Sequence, residues 1–208
     1  MECNSKEYDK IAEEIFAPIY PDIAEAILDR TGVRKGRLLD AGCGGGHLGL
    51  ALMKQGDFTL HMTDISEDGL RIARKRAEEQ KVEAEYIRSD ISCLPFLEES
   101  FDLVVSRGSM PFWEEQVKAF EEIYRVLKPG GWAYIGGGLG GEKHQERIFK
   151  FMKERQIEPV CFDRSKSKAL TTEEYINLFE KWKAPWKVIE NHGEGRWFIF
   201  GKRETDEQ

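Results

Sequence analysis

Leu38-Leu39-Asp40-Ala41-Gly42-Cys43-Gly44-Gly45-Gly46-His47-Leu48-Gly49 is the stretch from which the rest of the chain can be read. A short apolar run ends at an acid, and a cluster of glycines follows at once. Glycine after a first strand lets backbone approach a ligand where a Cβ would clash. The helix that begins at Gly46 presents unpaired amides at its N-terminus. The spacing Gly44-x-Gly46-x-x-Gly49 matches the dinucleotide-binding fingerprint, a pattern that carries little weight alone.

The acids that follow discriminate better. Asp40 sits at the strand end, beside the place a pyrophosphate would take. A carboxylate there repels a dianion and suits a cationic ligand. Asp64 ends the next strand, 22 residues beyond Gly42, where an acid can hold both hydroxyls of a ribose. Asp90 ends the third strand in Arg88-Ser89-Asp90-Ile91, where it can accept from an adenine amino group. Three acids at three successive strand ends face one crevice and suit a positively charged nucleoside without phosphate.

Working outward, the chain alternates. Residues 8–30 are amphipathic, with Tyr8, Ile11, Ile15 and Ile19 at helical spacing, an interruption at Pro21, and Ile23, Ala26 and Ile27 resuming the pattern up to Gly32. Two short helices are expected there. Strands are expected over 37–39, 58–65, 84–89, 101–105 and 132–135. Helices are expected over 46–55, 67–80 (capped by Ser66) and 114–127. Val117, Phe120, Tyr124 and Leu127 form one face of the last of these, and Lys128-Pro129-Gly130-Gly131 reads as its stop. Helices over 142–156 and 172–182 precede two strands, 186–191 and 196–202, joined by His192-Gly193-Glu194-Gly195. The fold class is α/β: a doubly wound, seven-stranded, mostly parallel sheet with helices on both faces and a C-terminal antiparallel hairpin. One domain spans 1–208, with 1–30 a helical lid.

In order, Leu38–Gly49, Asp64-Ile65-Ser66, Ser89-Asp90-Ile91 with Leu94-Pro95-Phe96, Phe101-Asp102-Leu103-Val104-Val105-Ser106 and Val126-Leu127-Lys128-Pro129-Gly130-Gly131 resemble the class I S-adenosylmethionine-dependent methyltransferases. The likeness covers roughly residues 8–200 and is greatest to the small methyltransferases acting on quinone precursors and other small molecules, which also begin with a helical lid. It implies a Rossmann-like fold, S-adenosylmethionine as cofactor and S-adenosylhomocysteine as product. It also implies roles. Asp40, Gly42 and Gly44 would hold the methionine portion, Asp64 the ribose hydroxyls, and Asp90 the adenine amino group. Ile65 and Ile91 would pack on the adenine, and Ser106 or Arg107 would line the methionine end.

Composition narrows the partners. The 208 residues carry 31 Lys and Arg against 38 Asp and Glu, a formal charge of −7. That disfavours a nucleic-acid or anionic-membrane partner. No apolar run is long enough to span a bilayer and the start is polar, so a cytoplasmic protein is expected, monomer or homodimer. Cys3, Cys43, Cys93 and Cys161 form no C-x-x-C pair, so free thiols and no metal are expected. No Asn-Pro-Pro-Tyr type of motif occurs at 106–109, and position 106 is Ser where an arsenite methyltransferase would carry Cys. A small-molecule acceptor remains. Arg107 is expected to orient it, Phe112 and Trp113 to wall it, and His144 to serve as a base. The glycines of 136–141 would form a hinge or a close approach. Asp102 is expected to be structural, Arg71, Arg74, Lys75 and Arg76 to form a solvated face, and Trp182, Trp186 and Trp197 to pack the hairpin. Two alternatives stay open: a nicotinamide-dependent oxidoreductase, and a catalytically silent S-adenosylmethionine-binding protein.

Overall fold

A computed structural model describes residues 12–154, 170–191 and 195–204. Seven strands form one sheet: β1 (Lys35–Ala41), β2 (Asp57–Asp64), β3 (Ala84–Arg88), β4 (Phe101–Arg107), β5 (Leu127–Gly137), β6 (Trp186–Asn191) and β7 (Gly195–Gly201). Their spatial order is β3-β2-β1-β4-β5-β7-β6. Only β7 runs against its neighbours β5 and β6; the other pairings are parallel. The order reverses between β1 and β4, so the loops leaving their carboxyl ends part and open a crevice. The register Asp40↔Met62 on one side and Asp40↔Val105 on the other centres that crevice on the glycine loop.

Among the described residues, six helices flank the sheet: α1 (Tyr20–Thr31), α2 (His47–Met53), α3 (Glu67–Gln80), α4 (Gln116–Val126), α5 (Glu142–Glu154) and α6 (Thr172–Lys181). A π-helical turn over Ala12–Phe16 and a 3-10 turn over Ala17–Ile19 lead into α1. Pro21 lies in the first turn of α1, where the missing N–H has no bond to make, so it opens the helix instead of interrupting it. The Ser66 hydroxyl caps α3 by accepting from the Gly69 amide at 3.2 Å. Thr171 and Glu174 close a reciprocal capping box on α6.

Residues alternate between two cores as each strand alternates its faces. Leu38, Leu60, Leu103 and Val105 pack under α1, α2 and α3. Leu39, Val104, Ile135 and Phe198 pack under α4 and α6, with Phe120 at the centre of an aromatic cluster.

Three expectations need correction. β5 runs through Lys128-Pro129-Gly130-Gly131, because the register shift against Phe101 to Leu103 absorbs the turn-forming residues into the ladder. The buried face of α4 is Gln116, Ala119, Phe120, Ile123 and Val126, while Val117 is exposed. Trp197 is buried and Trp182 stacks on Tyr124 at 4.5 Å, but Trp186 on edge strand β6 is exposed. Asp102 is structural as expected: its Oδ2 accepts from the Arg37 amide and from Lys128 Nζ, both at 2.7 Å. Tyr8, Ile11, Cys3, Cys161, residues 155–156 and the hairpin's His192-Gly193-Glu194 lie outside the described residues. Among the described cysteines, Cys43 and Cys93 are free thiols.

Candidate active site

The glycine loop joins β1 to α2 and is built in layers. Asp40, 2 % exposed, lies beneath it and accepts from the Gly49 amide at 2.8 Å. Burial pushes its carboxyl up to about 7, the Gly49 bond opposes this, and the charge of Asp64 adds to it. No basic side chain forms an ion pair with Asp40 among the described residues. Gly42 has φ +68°, and a Cβ there would sit 2.6 Å from Ser109 Oγ, so only glycine fits. Behind it runs a chain of donors: Trp113 Nε1 to Ser109 Oγ (3.1 Å), Ser109 and Ser106 hydroxyls together (2.6 Å), and Ser106 Oγ to the Ala41 carbonyl (2.6 Å). Ser106, 1 % exposed, thus braces the β4 loop against the glycine loop.

Asp64 holds the outer layer. One oxygen accepts from the Gly44 amide at 2.7 Å and the other from the Ser66 amide at 2.8 Å. Each oxygen keeps a lone pair for an incoming hydroxyl. Ile65, next in sequence, is 63 % exposed at the lip of the crevice. A Cβ on Gly44 would meet nothing within 4 Å, so open space lies against this part of the loop. Asp90 is exposed, and its Oδ1 accepts from the Ser92 amide and hydroxyl, both at 2.8 Å. Ile91 beside it is buried.

S-adenosylmethionine is the group the sequence implies, and the residues present fit it. The buried Asp40 without a cationic partner suits a cation. The open face at Gly44 lies beside an acid that can accept from hydroxyls, and an unburied Ile65 offers a flat ring an apolar surface. A pyrophosphate would meet Asp40 and Asp64 instead, and like charges so close are costly.

The N-terminal segment packs against the loops at this end of the sheet. Ile15, Phe16, Ile19 and Tyr20 are buried. Tyr20 stacks on His47 at 4.8 Å, with ring planes 7° apart. Gly140 of the glycine-rich loop approaches Ile19 so closely that a Cβ would fall 2.8 Å from its Cβ. Arg107 donates through Nη1 to Tyr20 Oη (3.1 Å) and through Nη2 to the Gly138 carbonyl (2.9 Å). Asp22 Oδ2 receives Lys143 Nζ at 2.6 Å and His144 Nε2 at 2.7 Å, which hold its carboxyl below the ordinary range. The His144 side chain is 14 % exposed, and its outer ring nitrogen is tied to Asp22.

Arg76 departs from its expected solvated face. Its side chain is 14 % exposed and bridges the Gly45 carbonyl to Glu13 Oε2, the latter at 2.8 Å. Helix periodicity cannot show a partner in another element. His47, directly after three glycines, stacks on Tyr20 and lies 3.7 Å from Glu13, contacts that no local pattern shows.

A family profile described as a methyltransferase domain matches residues 39–135. A crystal structure from Methanococcus maripaludis, assigned without a stated substrate as an S-adenosyl-L-methionine-dependent methyltransferase, is 34% identical, with a TM-score of 0.86 and 100% of both chains covered. Among curated relatives, mitochondrial arginine-hydroxylase NDUFAF5 of Danio rerio is 35% identical over 139 residues, 67% of this chain and 40% of that protein. The biotin biosynthesis bifunctional protein BioHC of Saccharophagus degradans is 31% identical over 125 residues, 60% of this chain and 21% of that one. The chain therefore spans less than half the length of these curated relatives. With an archaeal chain matched from end to end and a methyltransferase-domain profile running from β1 to β5, this protein belongs to the class I S-adenosyl-L-methionine-dependent methyltransferases.

Proposed function

We propose that the protein methylates a small molecule held beneath the N-terminal segment. The observation that carries this reading is the burial of Ile15, Phe16, Ile19 and Tyr20 against the carboxyl edge of the sheet. A roof packed this closely leaves no open track for a polymer, and a net charge of −7 disfavours a nucleic acid. Among the described residues, no helix is long and apolar enough to cross a membrane.

In this reading Asp40, Gly42 and Gly44 hold the methionine end of the cofactor. Asp64 takes the ribose hydroxyls, Asp90 the adenine amino group, and Ile65 and Ile91 flank the ring. S-adenosylmethionine supplies a methyl group already activated on a sulfonium. The protein's work is then to align the acceptor and exclude water. Phe112, exposed on the β4 loop, offers the acceptor an apolar wall. An acceptor that must lose a proton would use His144, paired with Asp22, as base; one with a lone pair needs none.

The test begins with thermal shift. S-adenosylhomocysteine at 100 times its dissociation constant should stabilise the fold by about 2.7 kcal/mol, and NAD should not. Methyl-labelled S-adenosylmethionine, offered with a panel of small phenols, amines and carboxylates, should then transfer label to a small molecule. Label passing instead to RNA or protein would refute the acceptor class.

A further inference from the structure

The sequence points to Arg107 as the residue that orients the acceptor; its surroundings in the fold point to a further part. It leaves the carboxyl end of β4, at the floor of the crevice. Its guanidinium carbon lies 5.0 Å from the Phe16 ring centroid and 4.9 Å from that of Tyr20. Both rings belong to the roof. Nη1 donates to the Tyr20 hydroxyl, and Nη2 reaches across to the Gly138 carbonyl in the loop after β5. One planar cation therefore joins floor, roof and side wall. Lysine has a compact ammonium and no planar fork, so it could not repeat this arrangement.

Other polar ties run from Glu13 to Arg76 and His47, from Asp22 to Lys143 and His144, and from the Pro21 carbonyl to Gln55. These join it to the flanking helices and the turn after α2. Arg107 joins it to the sheet beside the glycine loop. We infer that Arg107 is a positioning residue for methyl transfer, which acts through Phe16 and Tyr20 to hold the N-terminal segment closed over the bound cofactor. Its contribution is to keep water out and to slow cofactor escape. The effect on methylation rests on the function proposed above; the clamp itself does not.

The competing role is direct contact with a ligand. Each Nη keeps a second N–H, and Nε is buried without a hydrogen-bond partner among the described residues, so that contact would use one of these remaining donors. Amide hydrogen exchange on the full-length, ligand-free protein separates the two roles. Arg107→Ala should raise exchange across residues 12–20 by about tenfold or more, the loss expected when desolvated cation–π contacts go. Tyr20→Phe should raise it less, since the ring contact survives. Adding Tyr20→Phe to Arg107→Ala should change little further. Arg107→Lys should fall between wild type and Arg107→Ala, and it provides the reading if the alanine variant does not fold. Stopped-flow measurements with S-adenosylhomocysteine should show faster dissociation in Arg107→Ala by a similar factor, with association much less changed.

Unchanged exchange in the free protein would overturn the clamp. If affinity for S-adenosylhomocysteine then fell, Arg107 would be a cofactor ligand; if it held, Arg107 would return to the acceptor. If wild type failed to bind S-adenosylhomocysteine at all, the proposed function would fail, while the ligand-free exchange would still decide the clamp.

Discussion

Phe120 and Arg107 each sit at the middle of a covering over the same sheet, and they hold those coverings by different means. Around Phe120, the rings of Tyr175, Phe179, Phe198 and Phe200 lie with centroids 4.8 to 5.9 Å away, all buried. Apolar burial of this kind is non-directional and large, and it does not reopen without unfolding. Around Arg107, one cation, two ring faces and a few hydrogen bonds add to the apolar burial of Ile15, Phe16 and Ile19 in holding the roof. Such ties are individually modest and can be exchanged for water or ligand. The permanent half carries the fold; the exchangeable half faces the chemistry.

The comparison breaks most visibly at Phe120. Phe120→Ala should cost about 3–5 kcal/mol of stability by opening a cavity among rings. Affinity for S-adenosylhomocysteine in the fraction that stays folded should hardly change. Denaturant titration and calorimetry on one preparation check both. A large loss of affinity at full folding would mean that the two coverings are coupled.

Asp40 sharpens the contrast, because it lies between stability and function. Its folded carboxyl titrates near 7, against an ordinary value of 3.8. The native state therefore binds this proton more tightly than the unfolded chain. Asp40 thus lowers stability progressively as pH rises from about 4 to 7. Asp40→Asn keeps the acceptor for the Gly49 amide and removes the charge. The ligand-free variant should melt higher than wild type at pH 8, and the difference should shrink as pH falls toward 4. Wild-type affinity for S-adenosylmethionine should rise with pH through about 7, as the carboxylate becomes available to the cation, and the variant should lose that dependence. Equal melting differences at both pH values would contradict the assignment.

The smallest expected effect is at the α6 cap, on the permanent side. Thr171→Ala removes the hydroxyl that accepts from the Glu174 amide and donates to its carboxylate, and should cost about 1 kcal/mol in chemical denaturation, with exchange over residues 12–20 unaltered.

What could be read from the sequence follows the same division. The glycine loop, the strand-end acids and the capping by Ser66 are local, so short-range rules find them. Pro129 and Gly130 are strong local breakers, but pairing with β4 on either side of them, at Leu127 and Trp132, and bonds linking Gly130 and Gly131 to Lys202 carry β5 through. The face of α4 that begins at Val117 is anchored one position off the face that packs, Gln116, Ala119, Ile123 and Val126. The roof's ties were invisible for a plainer reason: Arg107 and Tyr20 are 87 positions apart, and Arg76 and Glu13 are 63. No periodicity links such pairs. They exist because the fold brings distant segments together at the carboxyl end of the sheet.

The central claim is that Asp64 and the glycine loop hold a nucleoside cofactor without phosphates. Calorimetric titration of wild type and Asp64→Ala with S-adenosylhomocysteine, with NAD as a control, tests it most directly. The account predicts one S-adenosylhomocysteine bound per chain, no NAD bound, and a loss on the order of 2–4 kcal/mol in the variant, since charge-assisted bonds to two hydroxyls disappear. Unchanged affinity in a folded Asp64→Ala protein, or tighter binding of NAD than of S-adenosylhomocysteine by wild type, would contradict it.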